Sequence, residues 1–172
     1  MDFPEEIVYR PIGIAHTPYK ERFGTPQQAS VGDEAGEFSI EIFREVLPVE
    51  ALADLEGIER IWILAHLHLN RGFNAKVIPP RGPKIKRGLL ATRAPHRPNP
   101  IGLSAVRLLS IEKNRLYLGA CDLIDGTPIL DIKPYIPYAD AFPDSMAGWI
   151  DELDPSLPQR SRKLRKPGGA PK

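Results

Sequence analysis

Hydrophobic and polar residues alternate along most of this chain with a period of two, the pattern of half-buried strands. Ile7–Ala15 reads as a first strand, and Glu37–Phe43 puts Phe38, Ile40 and Ile42 on one face. Within Glu59–Leu69, Ile61, Ile63, Ala65, Leu67 and Leu69 share one side. Trp62, Leu64, His66 and His68 take the other, so this strand is expected to be buried on both faces near its start. Lys76–Ile78 and Leu89–Arg93 are shorter strand candidates. Leu103–Glu112 and Leu116–Ile124 flank Lys113-Asn114, which reads as a hairpin turn, and Ile129–Ile132 follows a second turn at Asp125-Gly126. Helical periodicity is confined to Pro48–Leu55 and to Ser145–Leu153, the latter behind an Asp144 or Ser145 cap. Thr17–Gly36 is a long Gly/Pro/Gln connection without a period, of the kind that is either functional or poorly ordered. Many short strands punctuated by Gly and Pro predict a mainly β protein, a barrel or rolled sheet with few short helices.

Composition narrows the setting. With 172 residues the chain suits one domain with a hydrophobic core, expected over 7–142, followed over 143–172 by a short helix and a flexible basic tail. No stretch nears the roughly 18 consecutive apolar residues of a membrane span. The first residues are acidic without an apolar run, so no secretory signal is expected and the cytoplasm is the expected compartment. Cys121 is the only cysteine, which excludes an internal disulfide and a cysteine-based zinc site and reads as a core residue. His66 and His68 would bind a metal only if a third ligand converged on them, so polar lining is the expected role and no metal is predicted.

Net charge is +1, yet its distribution is one-sided. From Arg60 to Ile111 there are ten Lys or Arg and no acid, and from Arg160 to Lys172 six more, again without an acid. Such clustering fits a polyanionic partner or a bound anion, and fits a solvated loop face as well. Gly-x-Gly is absent, which excludes a dinucleotide fingerprint and the usual Rossmann methyltransferase loop; no Walker-type phosphate loop is present either.

Two blocks carry candidate chemistry. Leu90–Ser104 holds three prolines between Pro95 and Pro100, which fix the backbone before a ligand arrives. Arg93 and Arg97 flank that turn, Asn99 offers a donor and an acceptor, and Gly102 permits close backbone approach. Asp122–Tyr135 contains three carboxylates, a lysine and a tyrosine, more than a turn requires. Asp131 and Lys133 should share a strand face, with Leu130 and Ile132 on the other. A structural Pro-rich turn and a polar face opposite the core remain the alternative readings.

Taken together, Arg93-x-Pro-x-Arg-Pro-Asn-Pro-Ile-Gly102 and Asp125-Gly-Thr-Pro-x-x-Asp-x-Lys-Pro-Tyr135 closely resemble the TsaA-like, or TrmO, family. Ile12–Lys20 resembles that family's opening strand and turn, and Ile61–Leu64 followed by His68 its central strand; the resemblance runs from about Val8 to Phe142. It implies a compact β-barrel methyltransferase, usually a homodimer, that uses S-adenosyl-L-methionine (SAM) to modify N6 of threonylcarbamoyl-adenosine beside the tRNA anticodon. The implied partners are tRNA and a second copy of the chain, with neither DNA nor a membrane. The implied SAM contacts are Gln27 and Gln28, His68 and Leu69, Arg93 with Asn99 and Leu103, and Leu123, Ile124, Asp125, Gly126 and Thr127. Several members have Pro-Arg-Gln-Pro where this chain has Pro26-Gln27-Gln28-Ala29, a lost cation that bears on cofactor or substrate binding. Other members carry an extra C-terminal domain, and here the basic tail is the expected substitute as an RNA contact.

On that reading the acceptor nitrogen is urea-like, and removing its proton assists transfer. Asp125, Asp131 and Tyr135 are the candidate bases by type and location. RNA phosphates are expected to meet Arg71, Arg81, Lys84, Lys86, Arg87 and Arg97, with Trp62 and Phe73 as candidate stacking platforms, of which Trp62 is better suited to the core. Two alternatives stand beside this one: a SAM-dependent methyltransferase acting on another RNA or a small molecule, and a non-catalytic SAM-responsive nucleic-acid-binding module.

Overall fold

The alternating segments pair into a sheet that closes on itself. A computed structural model describes residues 4–21, 37–80 and 82–153; Gln27, Gln28, Arg81 and the basic tail lie outside them. In chain order the strands are β1 (Gly13–His16), β2 (Phe38–Ile42), β3 (Arg60–His66), β4 (Lys76–Val77), β5 (Arg87–Gly88), β6 (Ile101–Glu112), β7 (Arg115–Leu118) and β8 (Pro128–Pro134). Six of them form a closed barrel in the order β1-β2-β7-β6-β3-β8, with every neighbouring pair antiparallel. β4 and β5 make a separate two-stranded ribbon. The inward residues fill the barrel: Ile40, Ile61, Ile63, Ala65, Leu116 and Ile129 are all fully buried. Among the described residues no helix is long and apolar enough to cross a membrane.

Several elements differ from their expected bounds. β1 starts at Gly13, and Ile7, Val8 and Tyr9 are exposed; Pro11 has no N–H to give a ladder there. β3 ends at His66 because the chain turns at once, His68 N–H donating to the His66 carbonyl at 2.8 Å. Leu67 is therefore half-buried and Leu69 exposed, while Trp62 and Leu64 are half-buried. Leu89–Arg93 forms no strand. Leu89–Ala91 is a 3-10 turn, closed by the Thr92 hydroxyl donating to the Leu89 carbonyl at 2.8 Å, and the pairing falls on Arg87–Gly88 instead. β7 stops at Leu118, where Gly119 N–H still reaches the Arg107 carbonyl. From there Cys121 and Leu123 dip into the core without regular pairing.

The helical segments shrink to 3-10 turns at Val49–Leu52 and Gly148–Leu153. One short helix, α1 (Pro137–Asp140), has no helical period to announce it. It is organised by its last side chain, since the Asp140 carboxylate accepts both the Ile136 N–H and the Trp62 Nε1–H at 2.9 Å.

β8 carries the feature that matters most for the outer surface. Asp131 lies opposite Leu64 and Ile129 opposite Ala65, so Leu130 is an extra residue, a β-bulge. The bulge lets Ile129 and Ile132 both face the core while Asp131 and Lys133 face outward.

Candidate functional site

Antiparallel registers bring four strand ends to one rim of the barrel. His66 pairs with Ile101, Ile14 with Pro128 and Ala65 with Ile129, so the ends of β1 and β3 meet the starts of β6 and β8. The loops on this rim are pinned to each other. The Thr17 hydroxyl donates to the Leu123 carbonyl and the Thr17 N–H to Asp125 Oδ1, both at 3.0 Å. Lys20 Nζ meets Asp125 Oδ2 at 2.6 Å, and Gly126 N–H reaches the Ala15 carbonyl at 2.9 Å. Leu67 N–H donates to the Pro100 carbonyl at 2.8 Å, and His96 Nδ1 lies 3.3 Å from the Arg71 carbonyl. Ser104 Oγ then donates to Asp122 Oδ1 at 2.6 Å, which ties the Pro-rich block to the Asp-rich one.

Within the Pro-rich block Arg97 is a brace, donating to the Thr92 carbonyl at 3.1 Å and reaching that of Ala94 at 3.5 Å. Gly102 leaves room for Leu67, whose side chain would have to shift for a Cβ 2.9 Å from its Cδ2. Arg93 and Asn99 are exposed, as are Leu69 and Leu103. In the second block Gly126 adopts φ 77°, the left-handed turn its type permits. Leu123 and Thr127 are buried, and the Thr127 hydroxyl closes on the Ile124 carbonyl at 2.7 Å. Just past β3, His68 Nδ1 and Asn70 Oδ1 are buried with no hydrogen-bond partner. Buried polar atoms without partners are costly, so such a pair beside exposed leucines suits a ligand that is part apolar and part hydrogen-bonding.

Electrostatics separate the rim's carboxylates. Burial pushes the Asp122 carboxyl up, opposed by the Ser104 hydrogen bond and by the charge of Arg93. Asp125 is held below the usual carboxylate range, first by Lys20 and then by the Thr17 N–H. Burial raises the neighbouring Cys121 thiol to about 12, which leaves it an inert core group.

The three candidate bases are not one cluster. Asp125 precedes β8 and Tyr135 follows it, a strand length of roughly 20 Å. Asp131 pairs with Lys133 at 2.7 Å, and the Tyr135 ring packs 5.3 Å from that of Trp62. Asp131, Leu64 and Leu103 form one row across β8, β3 and β6, so Asp131 stands about 10 Å from Leu103 on the same outer face. A shallow depression of about 260 Å³ lined by Leu55–Ile58 and Leu108–Ile111 lies at the other end of β3 and includes none of these residues.

Comparison with known proteins joins this arrangement to a family. Residues 14–141 match the tRNA-methyltransferase O N-terminal domain. The chain belongs to the tRNA-methyltransferase O family. It is 42% identical over 152 residues to a probable S-adenosyl-L-methionine-binding protein of Pyrococcus abyssi, covering 88% of this chain and 80% of that one. To the tRNA (adenine(37)-N6)-methyltransferase of Escherichia coli K12 it is 38% identical over 149 residues, covering 82% of this chain and 63% of the relative. The crystal structure of TrmO from Pseudomonas aeruginosa superposes with a TM-score of 0.72 at 39% identity, covering 87% of this chain and 65% of that one. The chain thus spans less than two thirds of these two bacterial relatives.

In this TrmO-family chain the expected RNA contacts fall into two kinds. Arg71, Lys84 and Lys86 are exposed. Arg87 stacks over Trp149 at 5.0 Å with Glu152 3.8 Å away, and Arg97 braces its own loop. Phe73 is exposed, whereas Trp62 is half-buried and engaged with Asp140 and Tyr135. Asp122 and Ser104, which edge the two blocks without a role assigned from the sequence, and Asn70, which lies outside both, belong to the rim. For Ser104 the strand period alone hints at it, since a serine on the core face with Val106 needs a polar partner.

Proposed function

We propose that this chain is a SAM-dependent methyltransferase that methylates N6 of adenosine 37 in tRNA, and that the accepting nitrogen carries a threonylcarbamoyl group. The observation that carries this reading is the convergence of the Arg93–Ser104 and Asp122–Thr127 blocks on one rim, joined through Ser104 and Asp122. The names of the Pyrococcus and Escherichia coli relatives supply the cofactor and the acceptor position.

When bound, SAM supplies an electrophilic methyl on a cationic sulfur. The chain has to hold that donor and align the amine. Exposed Leu69 and Leu103 offer apolar surface to its nucleoside, and His68 Nδ1 and Asn70 Oδ1 offer buried hydrogen-bonding positions that the fold leaves unused. Arg93, Asn99 and the Leu123, Ile124, Asp125, Gly126 and Thr127 turn complete the cradle; Gln27 and Gln28, the other expected SAM contacts, lie outside the described residues. Of the three candidate bases Asp131 is the best supported, because the row through Leu64 sets it on the face that carries Leu103. Asp125 is a poorer base, since Lys20 and Thr17 stabilise its ionised form.

Arg71, Lys84 and Lys86 are the proposed phosphate contacts, with Arg87 and Arg97 supporting the surface from beneath. A second copy of the chain is the proposed cover for apolar Ile101, Leu103 and Leu109 on the outer side of β6, and the cytoplasm the proposed compartment. The test is transfer of labelled methyl from SAM to tRNA with and without threonylcarbamoyl at position 37, read by nucleoside digestion. We expect N6-methyl product only on the modified tRNA. Equal labelling of both would remove the threonylcarbamoyl requirement, and no labelling of either would remove the tRNA reading.

A further inference from the structure

The turn Gly148–Leu153 has no part in the cradle just described, yet three of its side chains reach across to the connection between β3 and β6. Trp149 Nε1–H donates to the Ala91 carbonyl at 2.9 Å, and the Arg87 guanidinium lies 5.0 Å from the centre of the Trp149 ring. Glu152 stands 3.8 Å from Arg87 Nη2. Leu153 fills the space where a side chain at position 82 would begin, since a Cβ on Gly82 would come 2.5 Å from Leu153 Cδ2. The turn is itself fixed by Asp151, whose carboxylate accepts the Ala147 N–H at 2.8 Å. Its contacts at Gly82, Arg87 and Ala91 bracket Lys84 and Lys86, both of which are exposed.

That connection needs outside support. β4 and β5 pair only as Lys76 with Gly88 and Val77 with Arg87, and their ribbon joins no strand of the barrel. An isolated two-stranded ribbon is marginally stable at best in water. The turn that covers it continues from β8 and α1, and α1 is tied back to β3 by the bond from Trp62 to Asp140. We propose that Trp149 is a positioning residue for the RNA: it braces the ribbon against the barrel, so that Lys84 and Lys86 meet tRNA phosphates as a preset pair. The proposal rests on tRNA being the acceptor. Lysines on a loose loop would have to be ordered as the RNA arrives, and that ordering would weaken binding. A loop held at both ends is ordered when the chain folds. Arg87, stacked on Trp149 and faced by Glu152, serves the brace and leaves the phosphates to its lysine neighbours.

The test measures tRNA affinity of the full chain against salt, SAM affinity beside it, and amide hydrogen exchange as a readout that needs no RNA. Trp149→Ala removes no charge, yet it should weaken tRNA binding about tenfold. It should also lower the slope of log affinity against log salt toward that of a Lys84→Ala, Lys86→Ala double variant. Added to that double variant, Trp149→Ala should weaken binding little further, because both changes act through the same phosphates. Trp149→Phe keeps a ring over Arg87 and should recover most of the loss. SAM affinity should not change, since the Pro-rich block keeps its own brace in Arg97. The Leu89 amide, which donates to the Ala75 carbonyl at 2.9 Å beside the ribbon, should exchange faster in Trp149→Ala. A full salt slope in Trp149→Ala, an additive loss in the triple variant, or a fall in SAM affinity matching that for tRNA would overturn the proposal. A parent chain that binds no tRNA would remove the tRNA reading itself. Leu89 exchange would then still decide the brace: faster exchange supports it and unchanged exchange overturns it.

Discussion

Asp122 and Asp125 stand three residues apart on one loop and answer protons in opposite ways. Asp125 titrates below its unfolded value because Lys20 and the Thr17 N–H favour its charge. Its contribution to stability is therefore present above the unfolded carboxylate pKa of about 3.9 and is lost as pH falls through the folded value. Asp125→Asn should cost about 1 kcal/mol at neutral pH, and urea unfolding should show that gap closing in acid. Asp122 titrates above its unfolded value because of burial, so its contribution is full below about pH 3.9 and is lost as pH rises through the folded value. Relative to the parent, Asp122→Asn should gain stability as pH rises above about 3.9, and a gap that ignores pH would contradict this. The Asp125-Gly126 turn is legible in the sequence because the dipeptide names its own conformation. The burial of Asp122 is not, because it depends on Ser104, eighteen residues away on another strand.

At the scale of elements, strands whose two neighbours both bury the same face were readable. β2, β3 and β6 keep their alternation because Ile40, Ile61, Ile63 and Val106 all point into one core. Ile63→Ala should cost about 2–5 kcal/mol in urea unfolding, and a loss under about 1 kcal/mol would mean that the centre of β3 is not packed as described. Where pairing rather than pattern decides, the periodicity misleads. Leu116–Ile124 looks like one strand, yet the chain leaves the ladder after Leu118; Leu89–Arg93 looks like another, yet Thr92 folds it back. The β8 bulge belongs to this class. Asp131 and Lys133 share the outer face as their spacing suggests, but Ile129 and Ile132, three apart, stay inside together only because Leu130 between them is displaced as a bulge. Deleting Leu130 would place Ile129 and Ile132 two apart on one face of a regular ladder with the same partners, and we expect a chain that keeps its near-ultraviolet dichroism and unfolds cooperatively. A deletion variant with lost dichroism and no cooperative unfolding would refute the bulge.

Across the whole molecule, the closed order β1-β2-β7-β6-β3-β8 is what turns two distant sequence blocks into neighbours on one rim. That both blocks carry chemistry is readable from their residues; that they meet is a property of the ring, since β6 and β8 both start at the end where β1 and β3 finish. Exposed Arg71, Lys84 and Lys86 lie in the connection from β3 to β6, which leaves the barrel and returns to it at this end. If they neutralise tRNA phosphates, binding should weaken steeply with salt. Lys84→Ala with Lys86→Ala should then lower the slope of log affinity against log salt by about 1 for each phosphate left without its lysine. A salt-independent affinity would place the RNA elsewhere. The most direct measurement is a titration of the isotopically labelled chain with SAM, followed through its backbone amide resonances. Amides of Ile101–Ser104 and of Leu123–Thr127 should shift together along one binding curve, while those around Leu55–Ile58 at the far end stay still. Shifts confined to a single block, or spread without regard to this rim, would contradict a shared site.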